Sequence, residues 1–419
     1  MLLEFRVRNF RSIRDEQVIS MVASKDKKLA ATHLAPTGLK NPSHVTRSAV
    51  VYGPNASGKS TLLLALHFMR GVVAESATNL QLGQTFNVQP FRLDADWATK
   101  ATEFEVSFVL GGVRHQYGFM LTHERIVDEW LLVYRTSKPQ QWFRRHFDEK
   151  TQSTTYEFST HLTGPRKLWQ ETTRPNGLFL STAVQLNSEL LGPIFRWLIE
   201  QPVYFGAGLG PPPDFTTALL QNETSQHAVS EFLASADISI SDVVTVPRQG
   251  IRQNIMFGPE GAQVTREEHE MLMPQFVHET DHGSATFEFH EESQGTQRLY
   301  AMAAPVLDVL KHGRLLIVDE LDSSLHPLLV RRLVRLFHQP EHNPLGAQLL
   351  FTTHDTSLLD RTLFRRDQIW FTEKDRDQAT RLYALSDFSP RETEAWERGY
   401  LVGRYGAVPF FGETTLPAT

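Results

Sequence analysis

Val50-Val51-Tyr52-Gly53-Pro54-Asn55-Ala56-Ser57-Gly58-Lys59-Ser60-Thr61-Leu62-Leu63-Leu64 is the stretch that decides how the whole chain is read. An apolar run from Ala49 to Tyr52 leads into it, and apolar residues at Leu62, Leu63, Leu66 and Met69 follow at helical spacing. The order is therefore strand, loop, helix. In that context a G-x-x-x-x-G-K-S match is a phosphate-binding loop rather than an ordinary glycine-rich turn. The glycines let backbone N–H groups converge on phosphate oxygens, and the start of the helix favours their negative charge. Lys59 is placed to reach the β- and γ-phosphates and Ser60 to ligate a magnesium ion, so the expected ligands are ATP and Mg2+.

The composition sets bounds on what can surround this loop. With 419 residues, 41% hydrophobic and 21% charged, the chain is an ordinary globular sequence with room for two or three structural units. A net charge of −6 gives no global basic field for nucleic acid, although a local patch remains compatible with it. The absence of cysteine excludes disulfides, iron–sulfur clusters and thiolate zinc sites. No apolar run approaches the roughly 18 residues of a membrane span. The N-terminus MLLEFRVRNF lacks the apolar core of a secretion signal. A soluble, cytoplasmic protein with no membrane partner is expected.

Along the chain, Leu3, Phe5 and Val7 alternate with charged residues as a half-buried strand before Asn9-Phe10-Arg11-Ser12 turns the chain. After the loop-bearing helix the apolar period changes to two. Phe104, Val106, Phe108 and Leu110 alternate, Gly111-Gly112 marks a hairpin, and Tyr117, Phe119 and Leu121 answer on the next strand. Shorter strands near 126–135, 140–147 and 154–159 complete an antiparallel meander. Residues 177–200 and 215–235 read as mainly helical, separated by the turn-rich segment Gly206–Pro213. Strand character returns at 238–258 and 284–290. From 291 the order is helix 296–311, strand 314–319, helix 327–338, strand 348–353 and strand 368–373. The fold class is thus α/β, a nucleotide fold split by a β-meander plus a helical insertion. Its segments are 1–85 with the phosphate loop, 86–175 the meander, 176–285 the helical and mixed insertion, and 286–419 the second half. No heptad run marks a long coiled-coil arm.

Three further motifs carry chemistry. Arg314-Leu315-Leu316-Ile317-Val318-Asp319-Glu320 is a buried strand ending in two carboxylates, at the strand end where α/β folds place their ligands. Asp319 is read as a metal-shell acid together with Ser60, and Glu320 as the group that polarises an attacking water. Ser293-Gln294-Gly295-Thr296 stands before a helix with a single apolar stripe. Its hydroxyl and free N–H groups suit a γ-phosphate, and equally suit simple capping of that helix by Ser293. Leu349-Leu350-Phe351-Thr352-Thr353-His354 is a strand ending in a histidine, one strand–helix–strand unit after the acids, where a γ-phosphate sensor could sit. Asp322 lies in the turn after Glu320, placed to bridge to a second subunit.

In chain order, the phosphate loop, the Ser293–Gly295 turn before a helix, the strand ending in Asp319-Glu320, the Asp322 loop and His354 resemble the ABC-type ATPases of the SMC and DNA-repair superfamily. More narrowly, Asn9-Phe10-Arg11-Ser12, GPNASGKST, ESQGT, VDELDSSLHP, TTHD, QIWFTEKD and the tail Tyr400–Pro409 resemble the AAA-like ATP/GTP phosphatase family. Bacterial abortive-infection and restriction-linked ATPases belong to that family. Against ABC transporters the chain departs in having Ser293-Gln294-Gly295-Thr296 in place of a full LSGGQ, and Gln89 before Pro90-Phe91 is the candidate for the metal-contacting glutamine. The resemblance implies a head-to-tail dimer, or a larger homo-oligomer, in which Ser293, Gly295 and Thr296 of one copy close over ATP held by Lys59 and Ser60 of another.

The resemblance further implies a nucleotide-gated regulator in antiviral defence that holds a separate effector nuclease or toxin. The alternative is an SMC-like clamp for DNA repair or tethering, with DNA as its partner. A fused nuclease is disfavoured, because Thr372-Glu373-Lys374-Asp375-Arg376-Asp377 reads as a charged hairpin turn. Arg331, Arg332 and Arg335 read as a solvated helix face. Arg144-Arg145-His146 is left as a candidate nucleic-acid or partner contact, and the tail from Tyr400 to Phe411 as a segment that docks on the core or on a partner.

Overall fold

The computed structural model describes residues 1–206, 211–236, 240–258, 261–390 and 394–409. It divides into two compact units, one of Met1–Gly208, Val309–Asp322 and Leu333–Thr419, the other of Leu209–Asp308 and Ser323–Arg332. The first unit begins with strands β1 (Leu2–Arg8), β2 (Gln17–Ser20), β3 (Leu34–Pro36), β4 (His44–Thr46) and β5 (Ser48–Tyr52). It continues through β6 (Thr102–Leu110), β7 (Val113–Leu121), β8 (Ile126–Tyr134), β9 (Gln140–Asp148), β10 (Ser153–Phe158) and β11 (Pro202–Phe205). The second unit holds β12 (Asp242–Gly258), β13 (Gly261–Thr280) and β14 (Gly283–Glu288). The chain then returns to the first unit with β15 (Leu315–Val318), β16 (Gln348–Thr352), β17 (Ile369–Lys374) and β18 (Thr380–Ala384).

The sheet that carries the phosphate loop has the order β11-β15-β16-β5-β17-β18. Its first five strands are parallel, and β18 returns antiparallel to β17. Every residue of β5, β15 and β16 is buried, which explains why these strands are continuous apolar runs rather than alternating ones. Parallel registry places Val318 beside Phe351 and Phe351 beside Val50. The ends of these three strands, and the loops that follow, therefore come out on one edge of the sheet.

The second sheet of this unit, β10-β9-β8-β7-β6-β1-β2, contains the meander. Strand β1 pairs with β6, setting Phe5 opposite Val106, so residues 86–175 do not form a sheet of their own. The helices Phe179–Gln185 and Gly192–Glu200, read along the sequence as part of an insertion, also lie in the first unit. Trp197 explains this placement: its ring stacks on Phe108 of β6 with centroids 3.8 Å apart, a contact between apolar positions 89 residues distant in sequence. In the second unit β13 runs for 20 residues and pairs with β12 from Val277 to Gly261. This strand was not anticipated, because its charged cluster from Arg266 to Glu270 masks the period-two pattern. Parts of the Gly206–Pro213 boundary and the end of the tail at Phe410 and Phe411 lie outside the described residues.

The reading of Arg145 as a nucleic-acid or partner contact is corrected by its burial. Arg145 is 2% exposed and donates to the carbonyls of Gly177 and Arg174, with the buried Glu129 carboxylate 3.9 Å away. Glu129 in turn accepts from the N–H groups of Phe179 and Leu180. A charged residue in an alternating strand gives no sign of which face is covered when the covering helix comes from elsewhere in the chain. Arg144, on the other face, pairs with Asp128. The charged hairpin is present as expected: Asp375 accepts from the N–H groups of Asp377 and Ala379 and closes the β17–β18 turn.

A buried pair of histidines makes stability depend on pH. The rings of His33 and His338 are 3.8 Å apart, and Nε2 of His338 lies 2.7 Å from the Ser48 hydroxyl. Burial pushes His338 well below its ordinary 6.5, with His33, Arg47 and Arg335 adding to the effect. Burial also lowers His33. A depressed folded-state value means that the unfolded chain takes up protons first. The stabilisation is complete above about pH 6.5 and is lost as pH falls, with a limiting slope of about 1.4 kcal/mol per pH unit for each histidine. Urea midpoints should therefore drop between pH 7.5 and 5.5, and less steeply in His338→Asn.

Candidate functional site

Gly53 to Gly58 connect β5 to the helix Lys59–Glu75, and two contacts from the β17–β18 hairpin shape the loop from behind. Gly53 lies so close to Thr372 that a Cβ would collide with its carbonyl and hydroxyl. Gly58 has φ +110°, and a Cβ there would collide with the Thr380 side chain. Both glycines are thus required by close approach, and Gly58 also by its backbone conformation. Ser57 is buried, its hydroxyl 2.7 Å from the Thr372 hydroxyl, while Thr380 donates to the Ser57 carbonyl at 2.8 Å. Asn55, Ala56 and Ser60 are exposed and Pro54 and Thr61 half-buried. Gly58→Ala should lower stability by about 1–3 kcal/mol from strain alone, measurable as a reduced thermal midpoint without nucleotide.

Lys59 is buried, with Nζ donating to the carbonyls of Gly53 at 2.8 Å and Pro54 at 3.2 Å. Burial lowers its pKa, opposed by the charges of Asp319, Glu320 and Asp322. The acids follow β15 directly. Asp319 is 2% exposed and accepts from the Thr352 hydroxyl at 2.5 Å, and that hydroxyl accepts from the Glu320 N–H at 2.7 Å. Glu320 has φ +53°, a left-handed turn that separates its direction from that of Asp319. Asp322 accepts from the His354 N–H at 3.2 Å, and its other oxygen has no partner among the described residues. The His354 side chain is exposed at the end of β16.

The N-terminal turn is tied to the same place. The Ser12 hydroxyl is 3.3 Å from that of Thr61 and 2.9 Å from that of Thr380. The N–H of Arg11 donates to the Gln89 carbonyl at 2.7 Å, and buried Asn9 accepts from the Phe91 N–H at 3.0 Å. The Gln89 carbonyl thus binds the residue directly before Ser12, which touches Thr61. Sequence reasoning quoted Thr352 and Thr372 within motifs but gave neither of them, nor Thr380, a role of its own. Only the apolar character of the strands around them marks their positions, since a buried threonine carries no pattern of its own.

In the second unit, Ser293 caps the helix Gln294–His312 by accepting from the Thr296 N–H at 3.1 Å. Its hydroxyl is also 2.9 Å from that of Thr296. Gly295 packs against the Ser324 carbonyl, where a Cβ would stand 2.9 Å from the oxygen. Ser293 and Gln294 are exposed, and Thr296 is buried.

The tail also finds a place in the first unit. Tyr400 and Tyr405 stack on Phe371, and residues 400–403 and 406–409 wall a cavity of about 1160 Å³. The opposite side of that cavity is made by Gly53, Pro54, Asn55 and Ser57 with His354. No helix among the described residues is long and apolar enough to cross a membrane.

Set beside known proteins, residues 48–176 and 210–360 match a family model described as "AAA domain, putative AbiEii toxin, Type IV TA system". Among solved structures the chain is similar to the "SMC head domain from Thermotoga maritima", at 13% identity over 91% of this chain and 98% of that one, with a TM-score of 0.42. It is also similar to an SMC head "bound to the C-winged helix domain of ScpA", at 15% identity over 91% and 97%, with a TM-score of 0.39. No curated protein matches the chain.

Proposed function

The chain belongs to this AAA-domain family and has its split P-loop NTPase fold, and from that premise we propose that it is a Mg2+-dependent ATPase acting as a nucleotide-gated regulator of a separate effector protein in bacterial antiviral defence. The observation that carries the ATPase reading is the meeting of three strand ends. Lys59 after β5, Asp319 and Glu320 after β15, and the Thr352 hydroxyl of β16 that joins the two acids all belong to one sheet edge. The toxin–antitoxin description of the family supports an effector partner. A cytoplasmic location goes with that role.

In this reading the loop Gly53–Thr61 receives the triphosphate through its N–H groups, of which Pro54 has none, and Lys59 turns from the Gly53 and Pro54 carbonyls to the β- and γ-phosphates. Among the described residues no three His, Cys, Asp or Glu side chains converge on one point. Mg2+ that takes most of its oxygens from phosphate and water needs only one or two from protein. Asp319 and Ser60 fit that requirement, with Gln89 as a further candidate. The ion supplies charge neutralisation on the phosphates. Glu320 accepts the proton of the attacking water, and His354 contacts the γ-phosphate. Ser293, Gly295 and Thr296 act on the nucleotide of a second copy in a head-to-tail dimer, with Asp322 bridging the two.

Tagged Glu320→Gln protein purified from native cells in Mg-ATP tests the regulator reading. A stoichiometric protein companion, identified by mass spectrometry, is the expected result. Nuclease-sensitive DNA retained without a protein would replace it with a DNA-tethering clamp.

A further inference from the structure

His354 follows β16 with its side chain exposed, so the direction of the imidazole is set by the main chain that carries it. Three contacts fix that main chain over residues 354–356. The strands on either side of β16 supply two of them. Asp322, in the turn after β15, accepts from the His354 N–H at 3.2 Å, and the hydroxyl of Tyr52, the last residue of β5, donates to the Asp355 carbonyl at 3.2 Å. The third comes from the tail. The Thr356 hydroxyl donates to the Glu397 carboxylate at 3.0 Å, a bond between residues 41 apart in sequence.

Glu397 is carried to this place by a segment that is itself fastened. It lies on the helix Trp396–Leu401, one turn before Tyr400. The Tyr400 ring stacks on Phe371 with centroids 5.4 Å apart and packs 5.9 Å from Tyr52, the residue whose hydroxyl holds Asp355. Its hydroxyl donates to the Ala407 carbonyl at 2.8 Å, and the Ala407 N–H donates to Glu373 at 3.2 Å. Gly399 approaches the Tyr405 ring so closely that a Cβ would collide with it. Covering the apolar surface around Phe371 requires the rings alone. A half-buried carboxylate bonded to the loop after His354 adds a desolvation cost that such a cover does not need.

We propose that the tail, residues 394–409, sets the position of His354, with Glu397 as a positioning residue that acts through Thr356. The inference rests on the ATPase reading above, in which His354 contacts the γ-phosphate. Turnover is sensitive to a displacement of that imidazole by about 1 Å. Nucleotide affinity, supplied by the loop Gly53–Thr61, is not.

Turnover and calorimetric ATP affinity of the full chain test this. Glu397→Ala should lower kcat by about fivefold or more while the ATP Kd stays within about twofold of the parent. Thr356→Val breaks the same bond from its other end and should match it. Glu397→Gln keeps an acceptor and Thr356→Ser keeps a donor, so both should retain the parent rate. In His354→Ala protein, Glu397→Ala should cost nothing further, because its effect runs through the histidine. Parental kcat in both Glu397→Ala and Thr356→Val would overturn the positioning role. So would a full additional loss in the His354→Ala background, or a lowered thermal midpoint with kcat per folded molecule unchanged, which would make the tail a stabilising cover. The reading beneath fails separately: a parent chain that does not hydrolyse ATP overturns the ATPase, and parental turnover in His354→Ala overturns the role of the histidine, the inference falling with either.

Discussion

Glu320→Gln should lower steady-state phosphate release by about two to three orders of magnitude while ATP remains bound. A general base contributes about 10²–10⁴-fold, and a thousandfold loss corresponds to about 4 kcal/mol of barrier. The substitution keeps the shape of the side chain and the Glu320 N–H bond to Thr352, so the left-handed turn after Asp319 is retained. What disappears is the ability to take a proton. A single-turnover assay with radiolabelled ATP separates the steps: binding persists and cleavage slows. Unchanged cleavage would remove Glu320 from the chemistry and shift attention to His354, exposed at the end of the adjacent strand.

Lys59→Ala should abolish the ATP-induced rise in thermal midpoint. In the wild-type chain, ligand at a hundredfold excess over its dissociation constant stabilises the fold by about 2.7 kcal/mol. If Lys59 makes charge-assisted hydrogen bonds to phosphate as proposed, removing it costs about 3–5 kcal/mol, or at least a hundredfold in affinity. Without nucleotide the effect is smaller and composed of opposing parts. The carbonyls of Gly53 and Pro54 lose their donor, while an amine whose charged form is disfavoured by burial is no longer present. Calorimetric titration of both proteins with Mg-ATP measures the difference. Equal affinities would show that the loop binds through backbone alone.

The loop and the acids were legible as patterns because each is written at fixed spacing within a short piece of chain. Gly58 needs a backbone conformation that other residues avoid, and Lys59 follows it directly, so the pattern survives without any knowledge of the rest of the fold. The supports of the loop were not legible. Thr372 and Thr380 lie more than 300 residues downstream of Ser57 yet bond to it, and only the parallel pairing of β17 with β5 brings them there. Arg145 was misread for the same kind of reason: its partners at Gly177 and Glu129 come from other elements. The tail is an intermediate case. Its aromatic residues announced burial, but not that it would stack on Phe371 and wall a cavity against the phosphate loop.

By itself the sequence determined the α/β class and the positions of the glycine-rich loop, of the two adjacent carboxylates and of the strand before His354, because each is written as local periodicity or as a run of adjacent residues. The tertiary structure alone decided that β1 completes the meander sheet, that Trp197 belongs to the first unit, and that Thr352 joins Asp319 to Glu320. Those facts depend on which distant surfaces are buried against one another. Burial is set by the packing of the whole chain and leaves no mark on any short stretch of it.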